Sequence, residues 1–433
     1  NGDSTQNILP LNVSPGQTVT LSAAGSTDRD SDTLSFMWWQ YKEAGTYDGS
    51  VTITKNTAET TEVSIPQNGT SGEEIHIVLS VKDNASPYPL TSHRRIIFTV
   101  AGSTVACVGD SITEGYPTSG TGYPKNLDDI LPNNYTVLNF GKSNTTALPL
   151  GLGNDPYVET SQYDNAIASD ANVFVIMLGT NDVKEANWPN RAHFKTELQG
   201  IVEDFLDLSP SPKVYLATQV PSFNSQNTID PVRIETYMGP HTRELANELN
   251  IQGIDTYTPF IGRSDLFKDG IHPNTSGNEL LASVIQDAIT APDDHQAPST
   301  PSGVTATAPS TTSVTLTWSA SSGTPSGYEI YRGEECVKVV AAATRSFTET
   351  GLAPGIYNYQ VRAFDRALNL SAKSAVVSID TRGSTPDIDP PSVPTGLSGT
   401  VSGTSITLTW NASTDNRGVS GYEVRRGTST SIG

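Results

Sequence analysis

Over the first hundred residues, apolar and polar positions alternate in short runs. Thr18–Leu21, Leu34–Trp39, Val51–Ile53 and Ile75–Val81 each read as a strand, with Gly, Asn, Asp and Pro as turn signals between them. A last run, Arg94–Val100, ends at Ala101-Gly102-Ser103, so residues 1–102 are expected to be an all-β sandwich. From Thr104 the pattern changes. Val105–Val108, Val137–Phe140, Val173–Leu178 and Val214–Ala217 are continuous apolar runs, as strands buried on both faces require. Helical periodicity lies between them: Phe194, Leu198, Ile201, Val202, Phe205 and Leu206 form one apolar face, and a second helix is expected from Thr275 to Ile289. Strand–helix alternation over residues 103–291 predicts a three-layer α/β domain around a parallel sheet.

Residues 292–301, rich in Pro, Asp and Ser, read as a linker. Beyond it the all-β pattern returns and repeats. Val314-Thr-Leu-Thr-Trp318 followed by Gly327-Tyr-Glu-Ile-Tyr-Arg332 recurs as Ile406-Thr-Leu-Thr-Trp410 followed by Gly421-Tyr-Glu-Val-Arg-Arg426. Two modules are expected, at 302–381 and 392–433, joined by a second linker at 382–391. The first runs on through Tyr357-Asn-Tyr-Gln-Val361; the second holds about half of a sandwich, so the natural chain is expected to continue past Gly433.

Composition narrows the partners. The formal net charge is −20, and Lys and Arg do not cluster, which excludes nucleic acid as a backbone-bound partner. An acidic surface favours neutral over anionic substrates. No apolar stretch approaches the ~18 residues that a spanning helix needs. The two cysteines, Cys107 and Cys336, fall in separate modules, so no disulfide is expected between them. The sequence starts at Asn1 rather than Met, as a processed secreted protein would.

Four motifs carry chemistry, each at the end of an expected strand or just before a helix. Gly109-Asp110-Ser111 follows Val105–Val108 and sets a hydroxyl at the carboxyl edge of the sheet, where α/β folds bind ligands. Asn139-Phe140-Gly141 supplies a glycine that lets a backbone N–H approach an oxyanion. Gly179-Thr180-Asn181-Asp182 supplies a neutral amide donor. Asp269-Gly270-Ile271-His272 places a carboxylate three residues before an imidazole, close enough to hold its tautomer. Each motif alone also reads as an ordinary turn. Their order within one domain is what points to acyl transfer.

Together these motifs resemble the SGNH (GDSL) hydrolase family over residues 103–291. The resemblance implies Ser111 as nucleophile, His272 as general base and acid, and Asp269 as the orienting carboxylate. It implies an oxyanion hole built from the Ser111 and Gly141 N–H groups and the Asn181 side chain, with no cofactor. Within the family, Met177–Lys184 and the following Asn187-Trp188 look like a branch containing carbohydrate O-acetyl esterases. Asp110, Tyr116 and Trp188 are the candidate substrate contacts, with the loop Thr145–Tyr163 as a further wall. An alternative for Trp188 is packing on the helix Phe194–Leu206.

The flanking modules are consistent with this. Leu21–Tyr41 is similar to the β-sandwich at the C-terminus of certain bacterial cellulose-binding, nucleoside-hydrolase-like proteins, and the two C-terminal units resemble fibronectin type III modules. The expected protein is a secreted bacterial esterase that removes O-acetyl groups from polysaccharide, with polysaccharide contact through its accessory modules. The alternatives are a short-chain carboxylesterase or lipase, and a carbohydrate-binding or adhesion protein on an inactive scaffold. Asp28, Asp30 and Asp32 alternate on a turn and are weak Ca²⁺ candidates, with a plain acidic turn favoured; the remaining His residues are too scattered for a metal site. Trp38 and Trp39 are adjacent, so one ring is expected inside the sandwich and the other outside, on a neighbouring domain or a sugar.

Overall fold

The computed structural model describes residues 7–66, 69, 71–116, 122–149, 155–209, 211–224, 229–382, 389–415 and 418–426. Seven strands come first: β1 (Leu9–Val13), β2 (Thr18–Ser22), β3 (Ser35–Gln40), β4 (Thr52–Thr54), β5 (Thr60–Ser64), β6 (Glu74–Lys82) and β7 (Thr91–Val100). They form two sheets, ordered β1-β7-β6-β3 and β2-β5-β4. Between the sheets lie Trp38, Val63, Ile75, Ile77 and Phe98, all buried. Strand alternation sends Trp38 into this core at 2% exposure and leaves Trp39 outside at 38%.

The chain runs straight from β7 into β8 (Ser103–Gly109), the first strand of the α/β domain. There follow α1 (Ser111–Glu114), α2 (Tyr123–Ile130), β9 (Tyr135–Gly141), the two-residue strands β10 (Thr145–Thr146) and β11 (Asp155–Pro156), α3 (Ser161–Ile167) and β12 (Val173–Met177). Then come α4 (Phe194–Leu206), β13 (Lys213–Ala217), α5 (Pro231–Arg233), a π-helical turn Ile234–Met238, α6 (Gly239–Glu248), β14 (Gln252–Ile254) and α7 (Thr275–Thr290). The main sheet is ordered β14-β13-β12-β8-β9, and every neighbouring pair is parallel.

Successive residues of β8 and β12 point to opposite faces, and both faces are covered. Ala106, Val108, Phe174 and Ile176 pack with Ala166 of α3, with Leu198, Ile201 and Phe205 of α4, and with Leu245 of α6. Val105, Cys107, Val173 and Val175 pack with Leu127 of α2 and with Leu281 and Ile285 of α7. That is the physical reason for the continuous apolar runs. Both cysteines are buried and free, and burial pushes the Cys107 thiol up to about 12.

After the α/β domain, seven strands make a second sandwich: β15 (Thr305–Ser310), β16 (Ser313–Thr317), β17 (Gly327–Arg332), β18 (Glu335–Ala341), β19 (Ser346–Thr350), β20 (Ile356–Phe364) and β21 (Val377–Asp380). Its sheets are β15-β16-β19 and β18-β17-β20-β21, with Trp318, Tyr328, Tyr359 and Val361 between them. The hairpin β22 (Thr395–Ser402) and β23 (Ser405–Asn411) begins the second copy. Gly421–Arg426, the counterpart of β17, forms no strand. In the first copy β17 is paired on both sides, by β18 and β20, and the described residues contain no counterpart of either.

Candidate active site

The four motif-bearing segments converge at the carboxyl edge of the parallel sheet. Asp110 caps α1 by accepting the Ile112 N–H (2.9 Å), which places Ser111 at the first helical position. Ser111 is 9% exposed, and its Oγ lies 2.9 Å from His272 Nε2. On the other side of the ring, His272 Nδ1 lies 2.7 Å from Asp269 Oδ2. Oδ1 of the same carboxylate accepts the backbone N–H groups of Ile271 (2.9 Å) and His272 (2.8 Å). Partial burial alone would raise the Asp269 pKa, but these donors outweigh it and hold the carboxyl below its usual value.

The other two expected oxyanion donors are both engaged in hydrogen bonds. Asn181 Nδ2 donates one hydrogen to the Thr145 carbonyl (2.9 Å), which fixes the plane of the amide and the direction of its second N–H. The backbone carbonyl of Asn181 is held in turn by Asn187 Nδ2 (2.9 Å). The Gly141 N–H donates to Asn139 Oδ1 (2.9 Å), while Asn139 Nδ2 donates to the Thr113 carbonyl (2.9 Å). A Cβ at position 141 would stand 2.1 Å from the Glu114 nitrogen, so only glycine lets β9 pass this close to α1.

Charge around the site is controlled by burial. Asp182 is fully buried and accepts the Leu148 N–H (2.9 Å) and the Ala147 N–H (3.2 Å). Desolvation still dominates and pushes it up to about 7. Asp110 is raised by the same cause, against the opposing hydrogen bonds of the Ile112 N–H and the Thr180 hydroxyl.

The outer candidates separate. Tyr116 is 49% exposed and its ring lies beside His272, with centroids 4.8 Å apart, at the mouth of the site. The Trp188 ring instead packs edge-on to Tyr237 and under the guanidinium groups of Arg191 and Arg233, at the head of α4. Half of the described residues of the expected wall Thr145–Tyr163 are interior, Ala147, Leu148 and Tyr157 among them in the core, and residues 150–154 lie outside the described residues. In the Asp28/Asp30/Asp32 turn the carboxylate of Asp28 is engaged by the backbone. Asp28 Oδ1 accepts the N–H groups of Asp30 and Asp32, and among the described residues no group of three His, Cys, Asp or Glu could hold a metal ion.

Sequence reasoning missed the supports of the site. Gln219 and the segment Ser222–Asn224 touch its loops, yet neither belongs to a motif that reads as chemistry. Gln219 Nε2 donates to the Leu178 carbonyl, Phe223 N–H donates to the Gly270 carbonyl (2.7 Å), and Asn224 Nδ2 donates to the Asp269 carbonyl (3.1 Å).

A Ser–His–Asp hydrogen-bonded chain at the carboxyl edge of a three-layer parallel sheet defines the serine-hydrolase class of site. Residues 107–280, within the α/β domain, match the GDSL-like Lipase/Acylhydrolase family. Residues 18–100 match the C-terminal domain of cellulose-binding protein Sde0182, and residues 299–380 match the fibronectin type III domain. Among curated proteins, the chain is 33% identical over 206 residues to an acetylxylan esterase of Xylanibacter ruminicola, covering 43% of this chain and 42% of that protein. It is 43% identical over 152 residues to exoglucanase B of Cellulomonas fimi, covering 34% of this chain and 14% of that one. The chain thus spans less than half the length of these relatives. Among solved structures, a carbohydrate acetylesterase family member from Sinorhizobium meliloti is 17% identical, with a TM-score of 0.34, covering 43% of this chain and 99% of that one.

Proposed function

We propose that the protein is a secreted serine esterase that removes O-acetyl groups from polysaccharide. The observation that carries this reading is the unbroken chain Ser111 Oγ–His272 Nε2 (2.9 Å) and His272 Nδ1–Asp269 Oδ2 (2.7 Å). His272 takes the Ser111 proton as Oγ attacks the acetyl carbonyl. The developing oxyanion is met by the second N–H of Asn181, the Ser111 N–H and the Gly141 N–H, the last turning from Asn139 to the substrate. As the C–O bond breaks, His272 gives that proton to the departing sugar oxygen, which leaves as a hydroxyl, and water activated by the same ring releases acetate from Ser111.

Substrate class rests on three supports. The acetylxylan esterase of X. ruminicola is a relative through 43% of the chain. The Tyr116 ring, half exposed beside His272, offers an apolar face to a pyranose. On the first sandwich, Trp39 and Tyr41 stand on the outer face of the edge strand β3 and the residue after it, each 38% exposed, with ring centroids 5.7 Å apart. Trp39 Nε1 donates to Ser80 Oγ (3.1 Å), which holds the indole in place, as a platform for a neutral sugar chain requires. No helix among the described residues is long and apolar enough to cross a membrane, and the polysaccharide-enzyme relatives support an extracellular setting.

The test is acetate release from acetylated xylan, xyloglucan, mannan and pectin, beside p-nitrophenyl esters from acetyl to octanoyl. Acetate from a polysaccharide, and activity falling steeply with acyl length, are expected. Preference for octanoyl esters would favour a lipolytic enzyme. A folded chain that a fluorophosphonate fails to label at Ser111 would favour a binding protein on an inactive scaffold.

A further inference from the structure

The π-helical turn Ile234–Met238, helix α6 and strand β14 form one continuous face of the α/β domain, and the first fibronectin module covers it. Each contact type on that face belongs to a folded interior. β14 is the edge of the parallel sheet, and an exposed edge invites pairing with other chains. Here the loop after β20 pairs with it: the Gly253 N–H donates to the Ala367 carbonyl (3.0 Å) and the Asp255 N–H to the Arg366 carbonyl (2.9 Å). Leu368, fully buried, sits where a Cβ on Gly253 would be, 2.3 Å from its own Cγ. Tyr331, Val339, Phe364 and Leu368 of the module share one apolar cluster with Ile234, Met238 and Leu245 of the α/β domain. Independent modules do not merge cores in this way.

Charge is buried with them. Arg243 of α6 and Glu329 of β17 are both 0% exposed and pair at 3.1 Å, and the Arg243 guanidinium lies 4.0 Å from the Phe364 ring centre. Glu329 also accepts from Arg362 Nε (2.7 Å) and the Tyr331 hydroxyl (2.9 Å), and Arg362 reaches back to Glu244 of α6 (3.0 Å). On the π-helical turn, Glu235 accepts the Val339 N–H (2.9 Å) and pairs with Lys338 (2.8 Å). Separating the modules would leave Glu329 with Arg362 but would strip the buried Arg243 of its carboxylate.

This face is linked to the loop carrying Asn181 through Thr242 and Gln219. Thr242, the neighbour of Arg243, stands 3.2 Å from Gln219 Nε2, and Gln219 donates to the carbonyl of Leu178, the residue just before Gly179-Thr180-Asn181. We infer that this face is a docking surface whose partner is the fibronectin module of the same chain. The docked module is a structural part of the hydrolase, and through α6, Thr242 and Gln219 it positions the loop carrying Asn181. Gln219 and Arg243 are positioning residues. The effect on turnover rests on the esterase reading above; the docking does not.

The experiment inserts a protease site between Gln296 and Ala297 in the full chain. After cleavage the two pieces are expected to co-elute in size exclusion and to unfold in one calorimetric transition. In the uncut chain, Glu329→Gln is expected to lower that joint midpoint by about 6 °C or more. It should also lower kcat on p-nitrophenyl acetate about tenfold, with KM unchanged, as a displaced oxyanion donor requires. Pieces that separate, or a hydrolase transition that ignores Glu329→Gln, would overturn the docking. A joint transition that shifts while kcat stays at the wild-type level would overturn the positioning. A wild-type chain without ester hydrolysis sinks the esterase reading instead, and co-elution with the joint transition still decides the docking.

Discussion

Asp269 holds His272 twice, through the ring at Nδ1 (2.7 Å) and through the backbone N–H (2.8 Å), so the carboxylate that orients the imidazole is itself placed by the residue it orients. Asp269→Asn keeps the size of the group but offers the ring the wrong hydrogen-bonding partner. A fall in kcat of about four orders of magnitude is expected, with the native circular dichroism spectrum retained. The Asp269 carboxyl is held below its ordinary value, so its stabilising contribution is complete at neutral pH and is lost only as pH falls through that lowered value. A D269N enzyme with wild-type kcat would remove Asp269 from the mechanism.

Asn181→Ala deletes an amide whose second N–H is aimed by the Thr145 carbonyl. Loss of one such donor costs about 10² to 10³ in kcat with KM little changed. Steady-state kinetics on p-nitrophenyl acetate measures it. An effect confined to KM would make Asn181 a ground-state contact instead.

Asp182 gives a pH signature of opposite sign to Asp269. Its pKa rises to about 7 in the folded protein from an ordinary value of 3.8, mainly through desolvation. Between those values the native state keeps a proton that the unfolded chain has released, so stability falls as pH rises from about 4 to 7 and then levels off. Asp182→Asn, which retains one acceptor for Leu148 or Ala147, is expected to flatten that slope. Urea midpoints at three pH values across the window decide it; an unchanged slope would assign the proton to another group.

Tyr116→Ala tests the sugar face beside His272. The expected result is a KM on acetylated polysaccharide about 3- to 10-fold higher, while p-nitrophenyl acetate, which has no sugar, is turned over nearly as before. Equal losses on both substrates would make Tyr116 a support for the His272 ring rather than a substrate contact.

Much of this was legible beforehand because it is local. The strands at 105–108, 137–140, 173–178 and 214–217 carry their own apolar runs, and each lies within or one residue beyond an observed strand. The helix expected from its periodic face spans Phe194–Leu206 as observed. β14 was not legible: Gln252-Gly-Ile has no run of its own and becomes a strand by pairing with β13. Trp188 shows the same limit. Its position after Gly-Thr-Asn-Asp suggested the substrate, but two arginines and Tyr237, far along the chain or on the next turn, take its ring.

The Ser111, Asp269 and His272 positions could be named from the sequence alone because each sits in a short motif whose residue types belong to one chemistry. Their distances could not, since Ser111 and His272 are 161 positions apart and only the sheet brings them to 2.9 Å. Nor could the supports, because Gln219 and the buried Arg243–Glu329 pair are ordinary polar residues until folding strips them of water. Only then must each find a partner, and the tertiary structure decides which one.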